Sequence, residues 1–288
     1  MPELPEVETV RRGLDQVTLG LTIVGGDVLL PRTIAHPNSV TDFLSGLQGL
    51  AIAQWHRRGK YLLAELKQPD SVDCPRPQAP GWLGVHLRMT GQLLWLDPGE
   101  PLQKHTRVRL LFSGNQELRF LDQRTFGQMW WVAPEEKLET VMTGLQGLGP
   151  EPFSTSFSVD YLVQWMHNRR RSIKSALLDQ ALVAGVGNIY ADEALFRSGI
   201  RPTTLCADLR SEQIERLQTA VIQVLQASLA EGGTTFSNFR NVQGINGNYG
   251  GVAWVYNRQG EPCRNCTTPI QRLRLGGRSS HFCPQCQL

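Results

Sequence analysis

The chain opens with a helical pattern of apolar residues. In the stretch LPEVETVRRGL, the side chains Val7, Val10 and Leu14 recur at helical spacing, and Pro5 suits the first turn of a helix. Gly20 marks the end of this region. The pattern predicts one amphipathic helix at the start of the chain.

Up to about residue 132, the pattern then changes to short apolar runs broken by Gly and Pro, which is typical of strands. Pairs of strands are expected around turns at Gly59, at Thr90-Gly91 and at Gly114-Asn115. Many short strands separated by turn signals favour a sandwich or barrel-like sheet. The Pro-rich stretch 68–81 is expected to form a surface loop between strands.

After a predicted linker at residues 141–157, the pattern becomes helical. Helices are predicted in VDYLVQWMHN, in SIKSALLDQ and NIYADEALFRSG on either side of a Gly-containing turn, and in SEQIERLQTAVIQVLQASLAEGG. Asn188 is the expected N-cap after the turn, and Gly199 the expected stop. The inner face of the last helix is expected to carry Ile214, Leu217, Val221, Leu225 and Ser228.

Composition and charge narrow the function classes without selecting one. The 288 residues are 41% hydrophobic and 19% charged, which is typical of a globular chain of two or three domains. We expect a soluble, intracellular protein, because no apolar run could span a membrane and the start does not resemble a secretory signal. The net charge is only +3, but the C-terminal third is rich in arginine. A polyanionic partner and an ordinary solvated surface both fit that distribution.

Four of the six cysteines form the pattern C-x2-C-x16-C-x2-C, at Cys263, Cys266, Cys283 and Cys286. Two such pairs place four thiolates around one tetrahedral zinc ion, which is structural because no ligand position stays open for water. The spacer predicts a hairpin that turns at Gly276-Gly277, with Arg278 projecting from its tip. We expect one structural Zn2+, no redox or organic cofactor, and unpaired thiols at Cys74 and Cys206.

The first residues of the chain allow two interpretations. With Met1 retained, Pro2, Glu3 and Glu6 form an ordinary helix start, and the residues alone favour this interpretation. With Met1 removed, which the small Pro2 favours, the chain begins with a secondary amine beside carboxylates. An α-amine titrates at about 7.7–8.0 and a lysine at about 10.4, so more of the former is free base at neutral pH. Its attack on an anomeric carbon gives a cationic iminium, which acts as an electron sink.

Several stretches, taken together, resemble the bacterial formamidopyrimidine-DNA glycosylases. They follow the family's order along the whole chain: PELPEVET, RRGKYLL (57–63), HLRMTGQL (86–93), DQRTFG (122–127), IKSALLDQALVAGVGNIYADEALFRSGIRP (173–202), VYNRQGEPC (255–263) and the terminal cysteines. The resemblance implies an α+β fold with an N-terminal catalytic β-sandwich and flanking helices (1–140), a linker (141–157), a helix-two-turn-helix DNA-binding domain (158–240), and a lesion-loop segment with a four-cysteine zinc-finger β-hairpin (241–288).

The resemblance also implies a bifunctional enzyme, which removes oxidised purines from duplex DNA and then cleaves the strand by β,δ-elimination. By this resemblance Pro2 attacks C1′ and forms a Schiff base, Glu3 assists opening of the sugar ring, and Glu6 supports it. Lys60 matches the lysine of β-elimination, and Arg278 matches the zinc-finger arginine of δ-elimination. We expect Arg278 to clamp the phosphate beside the lesion, because a guanidinium does not readily give up its proton.

A base inside a duplex is reached by flipping it out, and the gap must then be filled. Met89, Arg124 and Phe126 match the family's intercalating side chains, with the guanidinium on the widowed cytosine. Without the resemblance they would be taken as sheet-edge residues, and Met89 as core. Contacts to the DNA backbone are implied for His86, His105, Arg169, Lys174 and Asn188.

Two alternatives stay open on the sequence. An endonuclease VIII-like glycosylase has the same architecture and prefers oxidised pyrimidines, although PELPE and DQRTFG favour the purine enzyme. A non-enzymatic zinc-ribbon DNA-binding protein would use the zinc module and leave the Pro-Glu start without a role. The favoured expectation is a monomeric bacterial enzyme in the cytoplasm, associated with the nucleoid. Its expected partner is double-stranded DNA with oxidised purines or abasic sites, and not a membrane.

Overall fold

The structure, a computed structural model, describes residues 1–69, 81–234, 242–245 and 247–288. It divides into two compact units. The first comprises Met1–Gln146 with Gly232–Gly247, and the second comprises Gly147–Glu231 with Asn248–Leu288. Nearly all of the predicted 68–81 loop, including Cys74, lies outside the described residues, as do residues 235–241 and 246.

The first unit contains helices and two sheets in its described part. The helices are α1 (Leu4–Thr18), α2 (Val40–Leu47) and α3 (Leu138–Val141). The strands are β1 (Ile23–Val28), β2 (Ile34–His36), β3 (Ala51–Arg58), β4 (Tyr61–Lys67), β5 (Gly81–His86), β6 (Gly91–Leu96), β7 (Thr106–Phe112), β8 (Gln116–Asp122) and β9 (Gln128–Val132). One sheet has the order β1-β7-β8-β6 and the other β2-β9-β5-β4-β3.

Side chains from both sheets and from α1 meet in one core, as a β-sandwich requires. The largest members of that core are Phe43, Trp55, Phe112 and Phe120, each at most 2% exposed. The predicted α1 is confirmed: its apolar stripe is buried, and Trp55 donates from Nε1 to Thr18 Oγ1 at 2.9 Å. This packing holds the first helix, and with it the start of the chain, against the sheet.

The strands around the three predicted turns are confirmed, but only two of the turns join neighbouring strands. β3 pairs with β4 across Gly59, and β7 pairs with β8 across Gly114-Asn115. β5 and β6 flank the third turn but belong to different sheets, because β5 pairs with β4 and β9 whereas β6 pairs with β8. The connection that carries Met89 therefore crosses from one sheet to the other.

The second unit is helical and ends in a hairpin. Its described helices are α4 (Val159–Met166), α5 (Ile173–Leu177), α6 (Asn188–Ser198) and α7 (Ser211–Ala230), and its strands are β10 (Gln271–Leu275) and β11 (Arg278–Phe282). All five residues predicted for the inner face of α7 are buried. Gly199 ends α6 in the left-handed conformation, with φ 71°. The N-cap of α6 is Gly187 and not Asn188, which is the first helical residue.

The predicted α+β class is confirmed, with a sheet domain, a helical domain and a two-stranded hairpin in chain order. Among the described residues no helix is both long enough and apolar enough to cross a membrane.

Candidate active site and nucleic-acid surface

The start of the chain is fixed by Glu6. Its Oε2 accepts from the backbone N–H of Glu3 at 2.8 Å, which is the return bond of a helix-capping arrangement. Glu3 and Glu6 are 3% and 2% exposed, and Pro2 is half-buried. Met1 precedes Pro2 in this chain, so the α-amine that the structure describes is that of Met1. After removal of Met1 the α-amine would belong to Pro2, one residue further along.

The second oxygen of Glu6 binds a segment far along the sequence. Oε1 accepts from Thr234 N at 2.8 Å and from Thr234 Oγ1 at 3.1 Å. The preceding Gly233 has φ +87°, and a Cβ there would lie 3.1 Å from Glu6 Oε1. Glu6 therefore joins the start of α1 to residues 233–234. We expected it to support catalysis, and the structure gives its carboxylate an architectural position.

The amine at the start of the chain lies among buried charged groups. Burial lowers its pKa below the ordinary value of 8.0, Glu3 and Glu6 oppose that shift, and Lys60 and Arg124 add to it. The structure thus brings four of the predicted site residues within electrostatic range of the chain start.

Lys60 follows the turn between β3 and β4. Gly59 adopts a left-handed φ of 56° in that turn, a conformation that glycine takes without strain. Lys60 is 6% exposed and exerts a direct electrostatic effect on the α-amine of the chain start. A tight turn between two paired strands therefore mounts this ammonium group rigidly.

His86, at the end of β5, is buried and neutral, so it offers no positive charge to a phosphate. Burial, with Arg88 and Lys60 nearby, lowers its pKa to about 3. Its Nδ1 accepts from Arg88 N at 3.0 Å, and its ring meets Tyr61 edge-on at 4.5 Å. The bond to Arg88 N makes Nδ1 the acceptor of the neutral ring and fixes the turn at Arg88, and a DNA-backbone contact of His86 stays a prediction.

The three predicted intercalating side chains lie on two exposed turns of the first unit. Met89 and Phe126 are 37% and 53% exposed, so Met89 is not part of the core. The guanidinium of Arg124 lies over the Phe126 ring, 5.1 Å from its centroid. His105, also in this unit, is half-buried, and its Nδ1 lies 3.3 Å from Arg107 Nη2.

In the second unit a buried lysine joins α5 to the first residues of α6. Lys174 is fully buried, and its Nζ donates to Asn188 O at 2.8 Å and to Asp192 Oδ1 at 2.6 Å. We expected Lys174 to contact DNA directly, but its ammonium group faces the interior and positions the first turn of α6. Asn188 donates from Nδ2 to Ser279 O at 3.0 Å, and its Oδ1 is buried without a hydrogen-bond partner among the described residues.

Two predicted arginines of this unit are exposed. The guanidinium of Arg169 lies over the Trp165 ring at 4.0 Å, and Arg278 begins β11 next to Ser279, the residue that Asn188 contacts. The half-buried amide of Asn188 therefore contacts the backbone of the residue that follows Arg278.

Three family models match the chain in order. They are the formamidopyrimidine-DNA glycosylase N-terminal domain at residues 1–129, the formamidopyrimidine-DNA glycosylase H2TH domain at 148–240, and the zinc finger found in FPG and IleRS at 260–288. The chain is 66% identical to proteins named formamidopyrimidine-DNA glycosylase from a Nostoc species and from Acaryochloris marina, over 100% of this chain and 99–100% of theirs. The chain belongs to the formamidopyrimidine-DNA glycosylase family.

Solved structures of this family have the same fold. A MutM complex with DNA containing carbocyclic 8-oxo-G and a Lactococcus lactis Fpg complex with DNA containing an abasic site match with TM-scores of 0.88 and 0.87. Each is 32% identical to this chain, and each match covers 99% of this chain and 99% of the solved one. Membership makes the chain a DNA glycosylase, and the predicted family is confirmed.

The zinc finger of this glycosylase has a complete ligand set. The Sγ atoms of Cys263, Cys266, Cys283 and Cys286 all lie within 4.8 Å of one another. Four thiols at that spacing fit a tetrahedral structural zinc ion, whose folding energy would hold β10 and β11. The prediction of one structural Zn2+ is confirmed.

Two carboxylates that position elements of the glycosylase were missed in the sequence. Asp192 bonds Lys174 and also accepts from His281 N at 3.0 Å, so it links α5 to β11. Glu193 accepts from the backbone N–H groups of Trp254, Val255 and Tyr256 at 2.8–3.0 Å. The available signal in the sequence was the pair of adjacent acids in YADEAL. In a buried α-helix two adjacent acids cannot both reach solvent, so at least one of them needs a partner inside the protein.

Proposed function

We propose that the chain removes oxidised purines, namely 8-oxoguanine and formamidopyrimidines, from duplex DNA and then cleaves the strand at the abasic site. The observation that carries the proposal is the buried start of the chain, where an amine lies among Glu3, Glu6 and Lys60. Complexes of family members with DNA containing Fapy-dG, carbocyclic 8-oxo-G and an abasic site support the same substrates.

The first step requires removal of Met1, so that Pro2 becomes the amine. Its nitrogen attacks C1′ of the damaged nucleoside and the N–C1′ bond forms. The bond from C1′ to the base breaks, and the base leaves with its electron pair and takes up the proton that the amine nitrogen loses. Burial lowers the pKa of the Met1 amine in the present chain, and a Pro2 amine in the same buried surroundings is expected to be unprotonated in a larger fraction at neutral pH than an exposed amine.

The second step opens the sugar and cleaves the strand. Glu3 gives a proton to the ring oxygen as the C1′–O4′ bond breaks, which leaves an iminium between Pro2 and C1′. Lys60, buried near the chain start, takes part in removal of a C2′ proton, and the 3′ phosphate leaves in β-elimination. The 5′ phosphate leaves in the following δ-elimination, after which water releases the enzyme from the sugar fragment.

The second unit supplies contacts to the DNA backbone in this proposal. Arg278 and Arg169 are exposed and keep their charge, so they bind phosphates, with Arg278 clamping the phosphate beside the lesion. Asn188 lies at the first turn of α6, where backbone N–H groups are donors for a phosphate. The domain assignment of 1–140, 158–240 and 241–288, a monomeric state, and a cytoplasmic, nucleoid-associated location are parts of the same proposal.

The test is borohydride trapping with a duplex that carries 8-oxoguanine opposite cytosine. Mass measurement first confirms that the preparation begins with Pro2. A covalent adduct and a cleaved strand are expected. A Pro2→Leu variant, whose bulky second residue keeps Met1 in place, is the matched control and should give no adduct.

Two other results would contradict the proposal. Faster trapping on a duplex with an oxidised pyrimidine would identify the chain as endonuclease VIII-like. Tight binding without an adduct or strand cleavage would leave a non-enzymatic DNA-binding protein, although family membership argues against that outcome.

A further inference from the structure

The carboxylate of Asp122, at the end of β8, joins two exposed turns of the first unit. Its Oδ1 accepts from Arg124 N at 3.2 Å and from the Thr90 hydroxyl, and its Oδ2 accepts from Gly127 N at 2.7 Å. Asp122 is 1% exposed. Both oxygens therefore accept hydrogen bonds from the two turns that carry Met89, Arg124 and Phe126. We call these three side chains the wedge.

Thr90 completes a closed ring of bonds. Its hydroxyl donates to Asp122 Oδ1 and accepts from Arg124 N at 3.0 Å. Thr90 directly follows Met89, and Gly127 directly follows Phe126. Asp122 thus holds each turn at the residue next to its exposed apolar side chain.

The topology explains why one residue can hold both turns. The first turn leads from β5 in one sheet to β6 in the other, and the second turn leads back from β8 to β9. Both are crossovers between the same two sheets. A Cβ at Gly127 would collide with the Phe120 ring and lie 3.1 Å from Asp122 Oδ2, so the close approach of this backbone requires glycine.

The turns are not relaxed by themselves. Arg88 and Thr125 have φ values of 51° and 57°, in the left-handed region that side chains other than glycine adopt only with strain. Such conformations persist only where neighbouring groups hold them. The hydrogen bonds of Asp122 to Thr90, Arg124 and Gly127 contribute to that constraint beside the bond from Arg88 N to His86 Nδ1, and they involve a carboxylate, the stronger class of acceptor.

The backbone of Asp122 reaches a third segment. Its N–H donates to His105 O at 2.9 Å, and its carbonyl accepts from Arg107 Nε at 2.8 Å. Both turns of the wedge and the segment of His105 therefore meet at one buried residue, although the wedge itself is exposed.

We propose that Asp122 is a positioning residue that sets the geometry of the wedge, and through it the preference for the base opposite the lesion. This inference rests on the proposed function. An unpaired cytosine offers a guanidinium two adjacent acceptors on its Watson–Crick edge, N3 and O2, whereas adenine offers one acceptor, N1, beside the donor at N6. Discrimination therefore depends on where the backbone of Arg124 is held, and a displacement of about 1 Å is enough to lose a contact of this kind.

The test compares rates of base removal opposite cytosine and opposite adenine. In Asp122→Asn the amide group places N–H donors against either Gly127 N or the Thr90–Arg124 pair, so one turn is released. Thr90→Val removes the hydroxyl alone and tests the same ring if Asp122→Asn does not fold. Asp97→Asn is the matched control, because Asp97 is an exposed acid of this unit whose carboxylate accepts from Gln116 Nε2 at 2.7 Å.

The ratio of the two rates does not depend on how much of a preparation is active. We expect the cytosine-to-adenine ratio to fall about tenfold in Asp122→Asn and in Thr90→Val, which corresponds to about 1.4 kcal/mol of lost discrimination. Asp97→Asn should keep the wild-type ratio. Equal losses on both duplexes would show a merely structural role and overturn the inference, as would a wild-type ratio near one. Absence of base removal in every protein, the wild type included, would instead contradict the proposed function.

Discussion

The neutral state of His86 makes a quantitative prediction about acid stability. Burial lowers its pKa from 6.5 to about 3, so below pH 6.5 the unfolded chain binds a proton that the folded chain does not. The contribution to stability is fully present above pH 6.5 and is lost as the pH falls towards 3. Each pH unit in that window corresponds to about 1.4 kcal/mol, so a fall from pH 7 to pH 5 costs about 2 kcal/mol at this residue.

The perturbation that isolates this residue is His86→Asn. Asparagine keeps an acceptor for Arg88 N but does not titrate. The free energy of unfolding is measured for both proteins at pH 7 and pH 5, by urea denaturation followed by tryptophan fluorescence. Other titrating groups cancel when the pH effect in the variant is subtracted from that in the wild type. The difference should be about 2 kcal/mol, with His167→Asn, on the exposed surface of the second unit, as the control substitution.

A difference near zero between the pH effects in the wild type and in His86→Asn would contradict the neutral state of His86. It would mean that the folded protein takes up a proton at His86 between pH 7 and pH 5, as the unfolded chain does. In that case a cationic imidazole would be available to a phosphate. On our account it is not, so His86→Asn should leave the salt dependence of DNA binding unchanged.

Three further predictions concern the amine, its support and the metal. The rate of adduct formation should rise with pH to a midpoint below 8.0, because burial lowers the amine pKa; a midpoint above 8.0 would contradict the described environment. Glu6→Gln turns one acceptor into a donor, so Glu3 N or Thr234 N loses its partner at a cost of about 1–3 kcal/mol, and trapping should slow about tenfold. The exposed Glu139→Gln is its control, and equal trapping in the two variants would remove the positioning role of Glu6. Zinc chelation should weaken binding to undamaged duplex at least about tenfold and zinc addition should restore it, since the hairpin depends on the metal; unchanged affinity would separate the hairpin from DNA binding.

The local spacing of apolar residues was enough to predict the amphipathic elements, which bury one face and expose the other. The buried stripes of α1 and α7 follow from helical spacing, and the β7–β8 hairpin follows from alternation around Gly114-Asn115. The zinc site was equally accessible, because two short C-x2-C turns fix four thiols almost independently of the rest of the chain.

Burial and long-range partners were not accessible in the same way. Lys174 looks like a surface cation in sequence, and only its bond to Asp192, 18 residues later, shows that it is interior. His86 likewise becomes a neutral group through burial, and its ring contact is with Tyr61 on the neighbouring strand. The turn at Thr90-Gly91 has the composition of a hairpin, and nothing local indicates that its two strands join different sheets.

The proposed chemistry begins at the amine of Pro2, after Met1 has been removed. The most direct measurement is to digest the borohydride-trapped complex and to locate the nucleotide by mass spectrometry. The sugar remnant should be carried by the N-terminal peptide, on the nitrogen of Pro2 and with Met1 absent. A remnant on Lys60 or on any other lysine, with an unmodified N-terminal peptide, would contradict it.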